Sequence, residues 1–448
     1  MGINFSGRAG YPDAVDDPKN PAASDRRACL KALIAAPAVA HALVRAQDPA
    51  APPAAAAVPP AAAAAPLPPG ERPFPDRSAF GPMAVTYLDS GSQHPISLGA
   101  RHELDRYLDR RMLAPGANYS LDEDGVRAKF ARLINAQPDE IAYVPSTTAG
   151  EHLVVRGLGL PERGAHVVTD TLHFFGSFYL YEALAKQGVE VSWLRDVDGR
   201  IPIGAFEKAV RPGTRLVALS AVSTFNGFEH DLERVCEIAH ARGALVYADI
   251  VHAAGCVPFD VQASGVDFAA CASYKWLMGD FGLGFLYVRR DLRERFQRSQ
   301  WGYYALEQFQ THVYPYDPPG STIADMAPSR DANGLVALGT HSHACIALLS
   351  HSLDYLMDLG VERIAAHAGE LTGLLKQRLP ELGYRVVTPP ESRAPIVSCA
   401  LEGARARLGP VLEAAKIRVT LGTNRLRITP SVFNDRGDIG KLLDVLAA

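Results

Sequence analysis

The sequence predicts an α/β fold with a large, mostly parallel sheet, followed by a smaller α+β domain. Between residues 141 and 288, short apolar runs alternate with segments whose apolar residues recur at helical spacing. Polar side chains follow directly after several of these runs, at the strand ends where α/β proteins bind ligands. Beyond residue 325 the alternation stops and long helical segments begin.

The strands of the large sheet are predicted from apolar runs of strand length bounded by polar residues. They are 141–144, 166–169, 189–194, 216–220, 244–248, 267–270 and 284–288, after a short first strand within 86–92. The predicted helices before and between them are 98–112, 122–135, 151–157, 178–187, 203–210 and 231–242. Helical connections of this kind let successive strands run parallel.

The C-terminal part is predicted to form a separate small domain. Its predicted helices are 335–359, 361–379, 408–415 and 438–446, and its predicted strands are 384–387, 396–401, 418–420 and 425–429. We therefore expect a large domain over 76–325 and a small domain over 326–448.

The first 75 residues differ in composition from the rest of the chain. Asp25–Lys31 resembles the twin-arginine export signal, and a moderately apolar stretch with small-residue cleavage sites follows it. An amphipathic helix with a chance pair of arginines is the alternative. We expect a signal segment over 1–45, and hence a periplasmic protein. Residues 46–75 are almost all alanine and proline, which predicts a disordered tether.

Composition excludes several classes of function. The chain has 448 residues, 48% of them hydrophobic, and a net charge of −4, which provides no basic field for nucleic acid. Its six cysteines are scattered without CxxC or zinc spacing. His341 and His343 have no further ligand nearby in the sequence, so a loop that enters a helix is favoured over a metal site. We expect no metal and no membrane association after export.

Three features near strand ends can act together chemically. Asp249 ends an apolar strand, and Lys275 lies in an apolar run that leads into a glycine-rich turn. A buried lysine can form a Schiff base with an aldehyde cofactor, and a carboxylate can keep a pyridine nitrogen protonated. The turn of small and hydroxyl residues at 146–150 can bind a phosphate at a helix N-terminus. Taken alone, Lys275 is more simply explained as a lysine that reaches the surface.

Four motifs in order resemble one known family. Ser146–Glu151 resembles a phosphate-binding turn, Asp249–His252 an Asp-x-x-His/Gln motif, and Ser273–Trp276 a Schiff-base segment. Asn424–Asn434 resembles a C-terminal arginine motif. Residues 83–446 therefore resemble class V aminotransferase-like enzymes of the fold-type I pyridoxal-phosphate superfamily, in the branch of isopenicillin N epimerase and cysteine desulfurase. The resemblance implies a seven-stranded sheet and pyridoxal 5'-phosphate as cofactor.

The resemblance also implies residue roles. Lys275 would carry the cofactor and move the α-proton, and Asp249 would pair with the pyridinium nitrogen. Arg427 would bind the substrate carboxylate, although a surface arginine in a strand is the alternative. Seven further residues would bind the cofactor, with His173 stacking on its ring unless it merely starts a helix: Thr147, Thr148, His173, Thr224, His252, Tyr274 and Thr340.

Some positions depart from the family pattern. Ala272 stands where desulfurases have a serine, Thr224 replaces an asparagine, and Ala337 replaces a glutamate in the partner-subunit motif. Thr340 would still reach the phosphate of a neighbouring subunit, which implies a homodimer. Between residues 401 and 424 there is no cysteine, so chemistry through an enzyme persulfide is disfavoured.

The expected function is therefore that of a pyridoxal-phosphate enzyme acting at the α-carbon of an amino acid or a peptide-borne amino-acid residue. Epimerase-like or aminotransferase-like chemistry, which would tailor a secreted metabolite such as a siderophore peptide, is the first interpretation. A carbon–sulfur or carbon–selenium lyase without a catalytic cysteine is the alternative. A scaffold protein that has lost activity is a third, and the presence of both Lys275 and Asp249 disfavours it.

Overall fold

A computed structural model of the protein describes residues 72–113 and 121–448. The predicted signal segment 1–45 and nearly all of the predicted linker 46–75 lie outside these residues. The described strands are β1 (Thr86–Tyr87), β2 (Ile141–Val144), β3 (His166–Asp170), β4 (Glu190–Leu194), β5 (Thr214–Ser220), β6 (Leu245–Asp249), β7 (Phe268–Ala272), β8 (Gly284–Val288), β9 (Leu306–Thr311), β10 (Ala324–Pro328), β11 (Arg385–Val386), β12 (Val397–Ala400), β13 (Ile417–Arg418), β14 (Thr420–Leu421) and β15 (Arg425–Ile428).

The described α-helices precede, connect and follow these strands. They span Leu98–Leu113, Glu123–Leu133, Thr147–Gly157, Phe175–Lys186, Ile203–Ala209, Leu232–His240, Val261–Ser264, Ala332–Val336, His343–Leu359, Val361–Glu381, Ala404–Ala414 and Arg436–Ala447. None of them alone has the length and apolar composition of a membrane span; His343–Leu359 and Val361–Glu381 meet that test only as a pair bent by 75°.

The central sheet has seven strands in the order β2-β8-β7-β6-β5-β3-β4. Five neighbouring strands, β4, β3, β5, β6 and β7, run parallel to one another, and β8 is antiparallel to both β7 and β2. This confirms the predicted α/β fold with a mainly parallel sheet.

Each face of the sheet is covered by apolar side chains, which explains why its strands read as continuous apolar runs. In β6, Val246 and Ala248 pack into the core on one face, whereas Tyr247 packs into the core on the other. Successive side chains of a strand point to opposite faces, so a strand buried on both sides shows no polar alternation. The sequence therefore places these strands within a few residues of their observed ends.

A second sheet lies in the C-terminal part, with strand order β11-β12-β15-β14. Leu426 and Ile428 of β15 are fully buried in a core that includes Val397 and helix Val361–Glu381. Near the start of the described chain, β1 runs parallel to β13, so residues 86–87 lie beside the C-terminal segment. The boundary between a large and a small domain at residue 325 stays a prediction.

One predicted helix is wrong in detail, and one observed hairpin is missing from the prediction. The single helix predicted over 335–359 is broken, because Ala332–Val336 ends before a loop and a new helix starts at His343 with Ser342 as its N-cap. The antiparallel hairpin of β9 and β10 was not predicted. Most of its side chains are exposed on both faces, so no apolar periodicity marks these strands in the sequence.

Candidate active site

The strand ends of the central sheet bring the predicted chemical groups together. Ser220 at the end of β5 pairs in register with Asp249 at the end of β6, and Asp249 pairs with Ala270 of β7. Lys275 follows β7 after a short loop. The carboxyl ends of parallel strands share one edge of a sheet, so Asp249 and Lys275 face a common region. Each affects the pKa of the other through its charge.

Asp249 is a buried carboxylate with one oxygen engaged. It is 4% exposed, and its Oδ1 accepts a hydrogen bond of 2.9 Å from the backbone N–H of Val251. Among the described residues, the other oxygen accepts none. Burial raises the pKa of Asp249, and the nearby His173 and Lys275 oppose that rise. A cation with an N–H donor at this position would stabilise the carboxylate.

Lys275 is held as a buried amine. It is 7% exposed, and its Nζ lies 3.1 Å from Nε2 of His252. Burial lowers the pKa of Lys275 to about 8, against an opposing contribution from Asp249. A neutral amine is the nucleophilic form of lysine, and desolvation favours it.

The indole of Trp276 determines which proton lies between His252 and Lys275. Its Nε1–H, which can only donate, lies 3.2 Å from Nδ1 of His252, so Nδ1 must accept. Burial and the charge of Lys275 hold the pKa of His252 far below its usual range, so the ring is neutral and its proton is on Nε2. Nε2–H then faces the nitrogen of Lys275 and can donate to it when that amine is unprotonated, which is its main form above a pKa of about 8.

A tight turn fixes the backbone around this lysine. The N–H of Met278 donates to the carbonyl oxygen of Lys275, and the N–H of Gly279 donates to that of Ser273, each over 2.9 Å. A side chain at Gly279 would meet Ser273 at 2.8 Å, so the close approach needs glycine here. The close packing of the turn therefore explains the glycine at position 279.

The predicted phosphate-binding turn starts the helix Thr147–Gly157. Ser146 caps it by accepting a hydrogen bond from the N–H of Ala149. The N–H groups that precede Ala149 in the first turn have no partner within the helix. The hydroxyl oxygen of Thr147 accepts a hydrogen bond of 3.0 Å from the N–H of Ala272 and thus ties the turn to β7. Such a helix start binds phosphate through N–H groups and the helix dipole.

A cavity of about 650 Å³ lies at this helix start. Ser146 and Thr148 line it, and so does Thr340 of the same chain. The Thr340 hydroxyl lies 2.5 Å from that of Tyr303. Thr340 therefore lies on the same cavity as the turn of its own chain, and its predicted contact with a neighbouring subunit stays a prediction.

His173 belongs to a buried network centred on Glu151. Nε2 of His173 and the hydroxyls of Ser177 and Tyr181 all contact the carboxylate of Glu151, at 2.9, 2.5 and 2.8 Å. Nδ1 of His173 lies 2.9 Å from the hydroxyl of Ser220. Although burial opposes it, the charge of Glu151 raises the pKa of His173, while the pKa of Glu151 is lowered.

This network corrects the stacking role predicted for His173. The ring has no exposed surface, and both of its nitrogens have partners. No face of the ring is therefore open to a stacked cofactor in this structure. The histidine instead contacts Glu151 and Ser220 beneath the edge of the sheet that holds Asp249.

Arg427 is buried, which excludes the alternative of a surface arginine. It is 4% exposed, and its guanidinium donates to the hydroxyls of Thr224, Ser92 and Thr420 at 2.6, 2.7 and 2.9 Å. Asp89 lies 3.8 Å away. Burial lowers the pKa of Arg427 to about 10. Thr224, predicted to bind the cofactor, contacts this arginine.

Tyr274 is half-buried beside the lysine. Its ring stacks on Phe281 with 4.3 Å between centroids, and Nζ of Lys275 lies 5.8 Å from the ring centre. Burial raises the pKa of Tyr274. Its predicted contact with the phosphate stays a prediction.

Sequence reasoning missed several residues of the site. Trp276 and Glu151 lie inside two of the motifs that resemble the family, and Asp89 and Ser92 lie in the stretch 86–92 that predicts a first strand. The sequence predicts no role for any of these four residues. For Trp276 and Glu151, the available signal is their position inside motifs whose other residues have predicted roles. Among the described residues there is no group of three side chains suited to hold a metal ion.

A family comparison identifies what this arrangement belongs to. Residues 109–434 match the model of the family described as aminotransferase class-V. The chain belongs to the aminotransferase class-V family. This class-V chain is a pyridoxal-phosphate-dependent enzyme, as its family match and its desulfurase relatives indicate.

Curated relatives cover most of the class-V chain. It is 25% identical over 367 residues to an uncharacterized aminotransferase, YcbU, of Bacillus subtilis, covering 81% of this chain and 94% of the relative. It is 29% identical over 298 residues to a probable cysteine desulfurase of Methanothermobacter thermautotrophicus, covering 64% of this chain and 70% of the relative.

Solved structures share the class-V fold. The apo cysteine desulfurase of Thermococcus onnurineus NA1 has a TM-score of 0.70 at 23% identity and covers 81% of this chain and 94% of its own. C-DES, whose solved form has glycine covalently linked to the pyridoxal-phosphate cofactor, has a TM-score of 0.74 at 19% identity, with coverages of 83% and 99%.

The residues of this class-V site fit pyridoxal phosphate. The second oxygen of Asp249 is available for a pyridinium N–H, and the buried amine of Lys275, with its lowered pKa, can form the Schiff base. The start of helix Thr147–Gly157 offers free N–H groups for the phosphate. A buried carboxylate, a buried amine and an anion-binding helix start at one sheet edge are the donor set that this cofactor requires.

Proposed function

We propose that this class-V enzyme acts at the α-carbon of an amino acid or of a peptide-borne amino-acid residue, with epimerase-like or aminotransferase-like chemistry. Bound pyridoxal phosphate supplies an electron sink for the charge left when a bond to that carbon breaks. The observation that carries the proposal is the buried amine of Lys275, 3.1 Å from Nε2 of His252 and near the buried Asp249.

Lys275 is suited to accept and return the α-proton. General bases work best when their pKa lies near the working pH, and burial lowers the pKa of this amine from 10.5 to about 8. Nε2 of His252, 3.1 Å from the lysine nitrogen, holds that nitrogen in place. Asp249 keeps negative charge close to the amine without a direct hydrogen bond to it.

Arg427 is suited to hold the substrate carboxylate. Its closest partners are the neutral hydroxyls of Thr224, Ser92 and Thr420, so its charge is only partly balanced by Asp89 at 3.8 Å. A carboxylate can replace one of these hydroxyls with a stronger, charge-assisted pair. The arginine is fixed by residues from separate segments, which orients its planar fork.

A second candidate function is that of a carbon–sulfur or carbon–selenium lyase that works without an enzyme persulfide. Its support is that the five cysteines in the described part of the chain are all buried, while the curated relatives include probable cysteine desulfurases. Cleavage at the β-carbon requires the same base and the same electron sink.

Product analysis with the purified holoenzyme tests the proposal. An amino-acid panel should give a racemised or an oxo-acid product for the first function. For the second it should give either alanine with zero-valent sulfur or selenium, or the β-elimination products pyruvate, ammonia and sulfide or selenide. Lys275→Ala should abolish turnover and the visible absorbance of the covalently held cofactor. Lys208→Ala, at an exposed helix position, is the matched control and should change neither. Full turnover by Lys275→Ala would contradict the proposal.

We propose that the protein is exported to the periplasm through a twin-arginine signal within Asp25–Lys31, and that it tailors a secreted metabolite such as a siderophore peptide. That route carries folded proteins, which suits an enzyme loaded with cofactor before export. Replacing Arg26 and Arg27 with lysine should keep the protein in the cytoplasm, as measured by cell fractionation. Export of the doubly substituted protein would contradict the signal.

We also propose that the enzyme is a homodimer in which Thr340 of one subunit reaches the phosphate of the other. Thr340 is exposed, and it borders the cavity at the start of helix Thr147–Gly157. Analytical ultracentrifugation of the holoenzyme should give twice the chain mass. A monomer at micromolar concentration would contradict this arrangement.

A further inference from the structure

Two hydroxyl groups lie between the carboxylate of Asp89 and the guanidinium of Arg427. Nη2 of Arg427 lies 2.7 Å from the hydroxyl oxygen of Ser92 and 2.9 Å from that of Thr420. Oδ1 of Asp89 lies 2.8 Å from the Ser92 hydroxyl and also contacts that of Thr420. The direct distance from Oδ1 of Asp89 to Nη2 of Arg427 is 3.8 Å, about 1 Å longer than a charge-assisted hydrogen bond.

The chemistry of these groups fixes the direction of each hydrogen bond. Nη2 of Arg427 carries two N–H donors and no acceptor, so both hydroxyl oxygens accept from it. An ionised carboxylate only accepts, so the single hydrogen of each hydroxyl is directed at Asp89. The oxygens of Ser92 and Thr420, 3.0 Å apart, then have no hydrogen left for each other. The cation and the anion are therefore joined by two hydroxyl bridges and not by a direct pair.

The backbone holds both bridging residues against the strand of Arg427. Thr420 of β14 pairs in register with Arg427 of β15. On the other side, the N–H of Gly91 donates to the hydroxyl of Thr429 over 2.9 Å. A side chain at Gly91 would meet Thr429 at 2.9 Å, so this close approach needs glycine. The loop 89–92, which supplies the carboxylate and one hydroxyl, is thus fixed to the segment that carries the arginine.

A direct ion pair is the arrangement that the two bridges prevent. Asp89 and Arg427 are each 4% exposed, and opposite charges attract strongly where there is little water. Burial lowers the pKa of Arg427, and the charge of Asp89 opposes that lowering. If a bridging hydroxyl were removed, an N–H of Arg427 would lose its acceptor. The carboxylate of Asp89 is the nearby group that can replace it with a stronger bond.

We infer that Ser92 and Thr420 are positioning residues, which keep Arg427 out of a direct pair with Asp89 and so hold it ready for the substrate carboxylate. The inference rests on the proposed function, in which Arg427 binds that carboxylate. A guanidinium paired directly with Asp89 would have to break or share this bond whenever a second carboxylate approached. The neutral hydroxyls accept from Arg427 without cancelling its charge.

Spectral titration of the pyridoxal-phosphate-loaded enzyme with a panel of L-amino acids, each measured beside its α-carboxamide, tests this. L-Alanine and L-alaninamide are one such pair, and only the amino acid carries the carboxylate. The wild type should bind the amino acids more tightly than the amides. Thr420→Val removes the hydroxyl at nearly constant shape. It should weaken amino-acid binding about fivefold to fiftyfold, within the usual coupling of residues in one hydrogen-bond network, and change amide binding less than about threefold.

Three further variants make the result specific. Ser92→Ala removes the other bridge and should act in the same direction as Thr420→Val. Thr420→Ser keeps the hydroxyl and should retain the wild-type preference for the carboxylate. Thr423→Val is the matched control, because it removes an exposed threonine hydroxyl from the turn after β14, and it should leave both affinities unchanged. An equal loss for amino acids and amides in Thr420→Val would overturn the inference.

Asp89→Asn separates the spacing role of the hydroxyls from a general role in packing. Combined with Thr420→Val, it removes the carboxylate that would capture Arg427, and it should restore most of the amino-acid affinity. Alone, Asp89→Asn should not weaken amino-acid binding, because both hydroxyls still accept from Arg427. No recovery in the double variant, or a loss in Asp89→Asn as large as that in Thr420→Val, would overturn the inference.

Failure of the inference is distinguishable from failure of the proposed function. If Arg427→Gln weakens amino-acid binding but neither Thr420→Val nor Ser92→Ala does, only the inference is overturned. If Arg427→Gln leaves the affinity for every amino acid unchanged, the proposed role of Arg427 fails, and the inference fails with it. If no amino acid perturbs the cofactor spectrum, both are contradicted. Thermal unfolding checks that each variant folds, and Ser92→Ala provides the test if Thr420→Val does not.

Discussion

The indole N–H of Trp276 donates to Nδ1 of His252 across 3.2 Å, and this contact determines which ring nitrogen of His252 carries the proton. It leaves the proton of the neutral imidazole on Nε2, which faces Nζ of Lys275 at 3.1 Å. An ammonium group at Lys275 would place two donors against each other. Trp276 is therefore a positioning residue that acts on Lys275 through His252.

Trp276→Phe should raise the pKa of Lys275. Without the indole donor, His252 can carry its proton on Nδ1, and Nε2 can then accept from the ammonium form of the lysine. The measurement is the pH dependence of the rate at which the apoenzyme forms a Schiff base with pyridoxal phosphate, trapped by borohydride. The wild-type midpoint is expected near pH 8, the pKa that burial gives Lys275, and the midpoint of the variant should be higher.

Trp193→Phe is the matched control, because the Trp193 indole donates no side-chain hydrogen bond within the described chain. Selective ¹⁵N NMR of histidine should show the Nε2–H form of His252 in the wild type and a loss of that preference in Trp276→Phe. An unchanged midpoint, or an Nδ1–H signal in the wild type, would show that the indole does not set the tautomer.

Lys275→Met should stabilise the apoprotein at neutral pH. The lysine pKa is about 8 in the folded state and 10.5 in its ordinary range, so the unfolded chain binds more protons between these values and stability rises with pH across them. Below pH 8 the burial cost is fully present, at most about 3 kcal/mol for such a shift. Methionine has a similar shape and does not carry this cost.

Urea unfolding of apo Lys275→Met and wild type at pH 7, 9 and 10.5 measures the effect. The advantage of the variant should be largest at pH 7 and should shrink as the pH rises through 8 towards 10.5. Lys208→Met, at an exposed position, should show no such pH dependence. A constant difference between Lys275→Met and wild type would mean that the amine is not desolvated.

Glu151→Ala should destabilise the protein by about 3–5 kcal/mol, because it leaves a buried charge and three donors without their acceptor. Tyr181→Phe removes one of those donors and should cost about 1 kcal/mol. Glu182→Ala, exposed on the same helix as Tyr181, is the control for unfolding in urea. A loss below 1 kcal/mol in Glu151→Ala would show that the carboxylate is not central to the network.

The pH dependence of the Glu151 effect follows from the two shifts. The pKa of Glu151 is lowered, so its stabilisation is present above pH 4.5 and lost as the pH falls. The pKa of His173 is raised, so its stabilisation is present below pH 6.5 and lost as the pH rises through the raised value. The difference in unfolding free energy between wild type and Glu151→Ala should therefore be largest between about pH 4.5 and 6.5.

The sequence was informative wherever local pattern and site coincide. Lys275 and Asp249 lie at strand ends that are visible as apolar runs, so both the strand and the polar residue after it were predictable. Arg427 was ambiguous, because alternation places it opposite Leu426 without telling whether that face meets solvent or protein. Its burial depends on packing against loops that are distant in sequence, such as Ser92 and Thr224.

Other features depend on orientation that no pattern encodes. The bond from Trp276 to His252 requires a particular rotamer of each side chain. His173 looked like a ring at a strand end, but its partner Glu151 precedes it on a separate helix and draws it into the interior. The exposed hairpin of β9 and β10 leaves no apolar periodicity to recognise.

The thiols of the described chain are poorly suited to form a persulfide on the enzyme. Cys236, Cys256, Cys271, Cys345 and Cys399 are all buried, and burial raises the pKa of each thiol, to about 12 for Cys399. A thiol with a raised pKa is a poor nucleophile at neutral pH. Treating the folded holoenzyme with iodoacetamide at pH 7 should therefore leave turnover unchanged.

Mass spectrometry of the treated holoenzyme identifies which cysteines are alkylated. In the native protein the five buried cysteines are expected not to react. Unfolding in urea should allow all six cysteines to react, which shows that the reagent is active. If alkylation of any of the five buried cysteines destroyed turnover in the native enzyme, the persulfide route would be restored. That result would contradict both proposed functions, because they need only the amine, the carboxylate and the cofactor.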